Sequence, residues 1–385
     1  MTNLVPGSQL LKGGRMKEKL GKLSENLDYT LLFAVVFLCF YGILVLYSST
    51  RIGSSSIPVD PFLYVRRQSL WIGWGFIFLI IVIFVDYHRL ESYSQFIYFI
   101  AVILLLMVIV SGRSTYGARR WLSIGAFGLQ PSEFAKIALI IFLADFLSKN
   151  KLKLDNFFYF LLPFAYTGIL IFLVFKQPDL GTSLVYLAIL IMMLFAAGVK
   201  IKYLVTIFFI ALSSVPILWF FLKEYQKRRL ILFLNPNLDP LGGGYNVIQS
   251  KIAIGSGSFL GRGLFNGLQS QLNFLPAQHT DFIFSVVGEE LGFVGAILLL
   301  GLYVIVLWRG IKIALEARDL LGSLLATGAV SFLFFHIVVN IGMAMGILPA
   351  TGLPLPFLSY GGSFMISNLV VIGILLNVEL HKVRW

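Results

Sequence analysis

Few residues of this chain can do chemistry, and most of those stand out because apolar sequence surrounds them. Three acids fall inside long apolar runs: Glu133, Glu289 and Glu290. Lys136 follows Glu133 by three residues, which puts the pair on one helix face where the two can neutralise each other. An ionisable group inside a bilayer is costly. The pair is therefore either a structural ion pair that holds helices together or the polar lining of a cavity for a charged ligand. Pro131 and Ser132 just before it suit a helix start, whose free N–H groups can face an anion. Asp281 stands in PAQHTDFIFSVVGEELG, where a long polar segment meets an apolar run. It reads in two ways. It is a helix N-terminal carboxylate complementing the dipole, with Thr280 as a competing cap. Alternatively, beside His279 and Thr280, it is a general base whose pKa is raised by apolar surroundings. Glu289 and Glu290, one to two turns deeper, read as structural.

The elements that must position these groups follow from composition. Of 385 residues, 58% are hydrophobic and 12% charged, with 36 Phe. Soluble domains sit near 45–50% apolar and about 25% charged, and a soluble globule of this size could not cover so much apolar surface. The composition is that of an integral membrane protein. The lone Cys39 excludes a disulfide within the chain. The net charge of +12 comes from basic residues that flank apolar runs, as orientation in an anionic bilayer requires. No basic stripe with interleaved aromatics lies elsewhere, which argues against nucleic acid.

A helix crosses the hydrocarbon core with about 20 apolar residues. About ten such runs are present, over 29–49, 68–85, 94–111, 132–148, 157–175, 181–199, 203–222, 282–308, 321–347 and 363–380. The first is too long for a cleavable signal peptide and has no small-residue cleavage site. Residues 1–15 read as a polar tail, with Met16 opening a second possible start, MKEKLGK. With the N-terminus inside, the inner segments hold sixteen Lys and Arg against seven in the short outer loops, so both termini are expected to be cytoplasmic. The chain then divides into a tail at 1–28, one membrane domain at 29–380 and a short tail at 381–385.

Two outer segments are too elaborate for connectors. Residues 112–131 alternate polar, aromatic and Gly residues and read as a surface-lying or re-entrant piece. Residues 223–281, between runs seven and eight, far exceed ordinary loop lengths. Within them YNVIQSKIAIGSG and LFNGLQSQLNFL have helix-like apolar spacing suited to the membrane interface. His88, His279, His336 and His381 are far apart and lack paired spacing, so no zinc site is expected. The Gly-rich stretches at 242–246 and 255–263 follow no strand and read as tight turns. The breaker-rich GLPLPFLSYGGS at 352–363 requires irregular backbone, which membranes tolerate only where protein or a wet cavity satisfies it. No internal repeat is evident, which lowers the case for an inverted-repeat transporter.

In order along the chain, ARRWL (118–122), QPSEFAK (130–136), QPDLGTS (177–183), NPNLDPLGGGYNVIQSKIAIGSG (235–257), FLPAQHTDFIFSVVGEELGFVG (274–295) and GLPLPFLSYGGS closely resemble the SEDS family (shape, elongation, division and sporulation), the RodA/FtsW/SpoVE proteins of bacteria. The resemblance covers nearly the whole chain. GLFNGLQSQLNFLP at 263–276 looks more like the elongation branch than the division branch. The resemblance implies a peptidoglycan glycosyltransferase that polymerises lipid II at the outer face of the bacterial cytoplasmic membrane, working with a class B penicillin-binding protein. It puts the family's essential aspartate on Asp281, its central-cavity Glu and Lys on Glu133 and Lys136, its Arg-Trp element on Arg120 and Trp121, and its QPDLGT aspartate on Asp179.

On that reading Asp281 is the base that activates an acceptor sugar hydroxyl. Lys136, Arg120 and Lys251 are candidate cations for the leaving pyrophosphate, with Glu133 orienting Lys136. Trp121 offers a flat face to a sugar or isoprenoid, and Asp179 and His279 are further candidates for substrate contact. A divalent cation, Mg or Mn, on the pyrophosphate suits the chemistry, although no ligand set in the sequence demands it. Two other readings stay open: a lipid II flippase, which would use the intramembrane charges and broken helices, and a non-catalytic scaffold for a penicillin-binding protein. The distinctive polar motifs gather on the outer side, which favours surface chemistry.

Overall fold

Each apolar run becomes a helix, and local sequence sets where several of them begin. The structure, a computed structural model, describes residues 27–51, 62–115, 118–124, 127–221, 224–272 and 274–382; the expected tails fall almost wholly outside them. The helices are α1 (Tyr29–Thr50), α2 (Phe62–Phe84), a short α3 (Tyr87–Ser92), α4 (Ser94–Ser111), α5 (Pro131–Lys149), α6 (Phe157–Lys176), α7 (Leu180–Ala196), α8 (Ile201–Phe221), α9 (Glu224–Leu234), α10 (Tyr245–Ser256), α11 (Leu268–Gln271), α12 (Ile283–Leu315), α13 (Leu320–Ala344) and α14 (Gly362–Leu380). Asp28, Asn156, Asp179 and Asp319 each accept a backbone N–H at the start of α1, α6, α7 and α13, satisfying donors that a helix leaves orphaned. Pro131 opens α5, where its missing N–H costs nothing.

Seven helices, α1, α2, α4, α6, α12, α13 and α14, are long and apolar enough to cross a membrane. The chain is an all-α, multi-pass membrane protein. α7 and the first part of α8 are apolar but shorter, and α5 carries Glu133, Lys136, Asp145 and Lys149. α13 and α14 are the most enclosed of the seven. They pack on each other, on α5 and on α12, while α14 also lies along α2. α2 begins at Phe62, six residues earlier than the run read from sequence, because Leu63, Tyr64 and Val65 sustain the helix around Arg66 and Arg67.

The segment expected to lie on the surface or re-enter instead forms a small antiparallel sheet of β1 (Arg113–Thr115), β2 (Ala118–Ile124) and β3 (Phe127–Leu129), in the order β1-β2-β3. Leu122 pairs with Leu129 and Ile124 with Phe127. Its alternation of residue types is the period of two that a strand requires. The long segment between α8 and α12 is also structured. α10 forms where the apolar spacing indicated, but it packs on α12 and α13, and Ser250 Oγ reaches Ser285 Oγ and the Ala344 carbonyl at 2.6 Å each. The second stretch is helical only over α11.

α12 is two helices joined at Gly292, whose φ of 63° and ψ of −158° are not helical. The break frees backbone groups, and residues 258–263 take them up. Arg262 and Gly263 donate to the Glu289 and Glu290 carbonyls at 3.0 Å each, while Phe293 and Val294 donate to the Ser258 and Phe259 carbonyls at 3.1 and 3.2 Å. Glu289 accepts the Gln269 and Ser270 N–H groups at 2.7 and 3.0 Å, and Glu290 accepts the Ser48 hydroxyl at 2.7 Å. These two acids thus fasten the 258–271 segment to α1 and α12.

Candidate active site

Asp281 closes the turn that leads into α12, its N–H bonded to the Ala277 carbonyl at 3.1 Å. It lines a cavity of about 420 Å³ with Arg228 and Leu232 of α9, Asp239, Asn246 and Val247, and Gly352. That volume lies within the usual range of about 300–1,000 Å³ for small-molecule sites. Arg228 Nη2 meets Asp239 Oδ2 at 2.5 Å, and the Gly243 N–H donates to the same oxygen at 2.9 Å. The Gly243 N–H, with the Arg228 guanidinium, holds the Asp239 carboxyl below the usual carboxylate range.

The GLPLPFLSYGGS segment braces the turn that carries Asp281. Ser359 Oγ donates to the Thr280 carbonyl at 2.5 Å and accepts the Leu355 N–H at 2.8 Å. The Tyr360 N–H donates to the His279 carbonyl at 2.9 Å. Asn340 of α13 gives one amide nitrogen to two carbonyls, those of Asp281 at 2.8 Å and Leu353 at 2.7 Å. Gln68 of α2 secures the far end, donating to the Ser359 carbonyl at 3.1 Å and accepting the Gly361 N–H at 3.2 Å. His279 is half-buried in a cluster with Tyr64 and Tyr360, at 5.3 and 6.1 Å between centroids. Burial pushes its pKa below the ordinary 6.5.

The other candidates form two further groups. Lys136 is 0% exposed. Its ammonium lies 2.9 and 2.8 Å from the two Glu133 oxygens and 3.0 Å from His336 Nε2, with the Phe332 ring centroid at 5.0 Å. At the sheet, Arg120 clasps the turn between α6 and α7. It donates to the Pro178 carbonyl and, through Nε, to the Gln177 carbonyl at 3.4 Å, with Nη1 3.5 Å from Asp179 Oδ2. Asp179 Oδ1 meanwhile caps α7 by accepting the Thr182 N–H at 3.1 Å. Trp121 lies across Gly128 of β3, where an added methyl would sit 3.3 Å from the indole. Lys251 is exposed one turn beyond Val247 on α10, beside Gly346.

Among the eight residues singled out from sequence, Asp281 alone lines this cavity. The structure adds Arg228, Asp239, Asn340, His336, Ser359 and Gln68. His336 and Asn340 had a signal in sequence, since two polar residues at i,i+4 interrupt an apolar span. Arg228 had none, because only the course of α9 brings it to Asp281. Among the described residues no group of three or more His, Cys, Asp or Glu could hold a metal ion.

Comparison with known proteins agrees with this architecture. The chain is 39% identical over 358 residues to a probable peptidoglycan glycosyltransferase FtsW of Geobacter sp., covering 92% of this chain and 97% of the relative. It is 38% identical over 367 residues to the peptidoglycan glycosyltransferase MrdB of Escherichia coli, covering 93% and 94%. A chain solved in work on "structural coordination of polymerization and crosslinking by a peptidoglycan synthase complex" superposes with a TM-score of 0.78 at 36% identity, covering 92% of this chain and 97% of that one. The FtsW/RodA/SpoVE family model, described as a cell cycle protein, matches residues 29–384, and the chain belongs to that family.

Proposed function

We propose that the protein is a peptidoglycan glycosyltransferase that joins lipid-linked disaccharides into glycan strands, with Asp281 as its general base. Asp281 lining a cavity that also holds Arg228 is the observation that carries this reading. The acceptor GlcNAc 4-hydroxyl attacks the anomeric carbon of the donor MurNAc, a C–O bond forms, and undecaprenyl pyrophosphate leaves with the bonding electrons. Asp281 takes the hydroxyl proton, a contribution of about 10²–10⁴-fold for a positioned base. The pyrophosphate gathers negative charge as it leaves, and a fixed cation stabilises it in the transition state. Arg228 supplies that charge within the cavity, and Lys251, one turn along α10 from the lining residue Val247, is a second candidate. Arg120 and Asp179 hold the turn before α7, leaving the Trp121 face to a sugar or prenyl group, and His279 stands beside the acceptor as a neutral polar group.

The ten long helices α1, α2, α4–α8 and α12–α14 then cross the cytoplasmic membrane, with both termini inside and residues 223–281 outside. Sugars meet Asp281 in water while the polyprenyl tail stays in lipid. A divalent cation, if recruited, would offset charge on the substrate's pyrophosphate; among the described residues no group of three or more His, Cys, Asp or Glu could hold it. The partner is a class B penicillin-binding protein whose transpeptidase crosslinks the strand. Overall identity does not separate elongation from division relatives, so a role in elongation rests on the 263–276 stretch.

The test is lipid II polymerisation by the full chain in nanodiscs, alone and with a class B penicillin-binding protein of the same bacterium. Glycan strands from wild type and none from a folded Asp281→Asn variant are expected. Equal activity of the two would overturn the role of Asp281. Translocation of lipid II that survives Asp281→Asn, without polymer from wild type, would establish a flippase instead.

A further inference from the structure

His336 and the charge it contacts have no direct route to the cavity, yet their hydrogen bonds lead to Asp281. An ammonium has only protons to give. Lys136 therefore donates to His336 Nε2, 3.0 Å away, and that nitrogen must be bare. The ring proton is then on Nδ1, which donates to the Pro354 carbonyl at 3.1 Å. A doubly protonated ring would set two cations against each other in a site where both side chains are 0% exposed, an arrangement burial penalises heavily. Phe332 and Phe364 both pack against the imidazole, each with its ring centroid 4.9 Å away.

One turn further along α13, Asn340 holds the Leu353 and Asp281 carbonyls. The two side chains therefore grip two successive carbonyls of the segment that begins at Gly352. That segment needs gripping: Pro354 and Pro356 have no N–H to donate, and Gly352 has a φ of +74°. Gly352 lies directly against the acid, where an added methyl would sit 3.3 Å from Asp281 Oδ2.

We propose that His336 is a positioning residue, locked in its Nδ1–H tautomer by Lys136, and that with Asn340 it fixes the Gly352–Pro354 backbone and so the place of the Asp281 carboxylate. The intramembrane pair Glu133–Lys136 then acts on the reaction through His336, without touching substrate. The proposal rests on Asp281 being the base, but its first test does not.

That test is the ¹⁵N spectrum of the full chain in nanodiscs with labelled histidine. The chain has four histidines, and His336→Asn identifies the signal by its loss. Wild type should show His336 with a protonated Nδ1 and a bare Nε2 from pH 6 to 8, and Lys136→Met should disturb that state. An Nε2–H tautomer or an imidazolium in wild type overturns the proposal, as does an unchanged signal in Lys136→Met. The second test is lipid II polymerisation. His336→Phe should lower kcat about tenfold or more with KM within about twofold. His336→Asn should recover much of that loss, because its amide can take the place of Nδ1 opposite Pro354. Equal loss in both variants, with both folded by size exclusion, sinks the proposal. If Asp281→Asn stays active, the site reading fails while the tautomer result stands by itself.

Discussion

Arg120 and Asp179, 59 positions apart in sequence, meet at 3.5 Å across the boundary between the small sheet and the bundle. The Asp179 side chain is 7% exposed and that of Arg120 29%, so the pair is only partly screened by water. The guanidinium spreads over Asp179 and the Gln177 and Pro178 carbonyls, a grip that a Lys ammonium cannot reproduce.

Removing Arg120 should therefore destabilise the turn before α7. Arg120→Ala leaves an almost buried carboxylate short of one partner, a loss of about 1–3 kcal/mol. Arg120→Lys should recover little of it. Thermal unfolding in detergent of Arg120→Ala, Asp179→Asn and the double variant measures the coupling, expected to be at least about 0.5 kcal/mol. Additive losses would show that the pair does not matter.

The sequence disclosed the bundle far better than the site. Helices formed where apolar runs indicated because burial in lipid is a one-dimensional signal that about 20 residues carry by themselves. The sheet was missed because the Gly and polar residues scattered through 112–131 look like a loop until pairing partners are known. Asp281 was legible as an acid at the head of an apolar run. Its surroundings were not, since Arg228 shares its cavity, Asn340 bonds its carbonyl and Gly352 lies against its carboxylate, from three separate segments. Lys136 shows the limit from the other side. Its spacing from Glu133 predicts the ion pair seen at 2.8 Å, but spacing says nothing of His336, 200 residues away.

Gly352 should be irreplaceable for rate rather than for folding. A side chain there strains a backbone at φ +74°, by about 1–2 kcal/mol, and crowds the Asp281 carboxylate at 3.3 Å. A misplacement of about 1 Å can cost roughly 10²-fold. Gly352→Ala should lower kcat for polymerisation by about 10–100-fold while the protein still purifies as a monodisperse species. Activity within about twofold of wild type would contradict this geometry.

His279 gives the site a one-sided response to acid. Burial holds its folded pKa below 6.5, so the unfolded chain binds the proton more readily. Its contribution to stability is complete above about pH 6.5 and is lost as pH falls from there toward the folded pKa. The thermal midpoint of wild type should thus drop more steeply between pH 7 and 5.5 than that of His279→Phe, which keeps the packing against Tyr64 and Tyr360 but has no proton to bind. Parallel pH curves for the two proteins would show that His279 is not held neutral.

Gly292 joins the two halves of α12 in a backbone conformation that only glycine adopts at low cost, with φ 63° and ψ −158°. A methyl there would also overlap Gly261 N and crowd Gly261 Cα at 2.9 Å, so the segment of residues 258–263 would be pushed off the carbonyls and N–H groups it satisfies. Unpaired backbone at a helix break is expensive in a bilayer, which leaves the damage with no cheap escape. Gly292→Ala should lower the thermal midpoint well below that of the exposed control Gly301→Ala, whose methyl would meet nothing within 4 Å. It should also open residues 258–263 to limited proteolysis, because the segment is held by the bonds that the break provides. Equal midpoints for the two variants, with the segment still protected, would show that it is anchored by Glu289 and Glu290 alone.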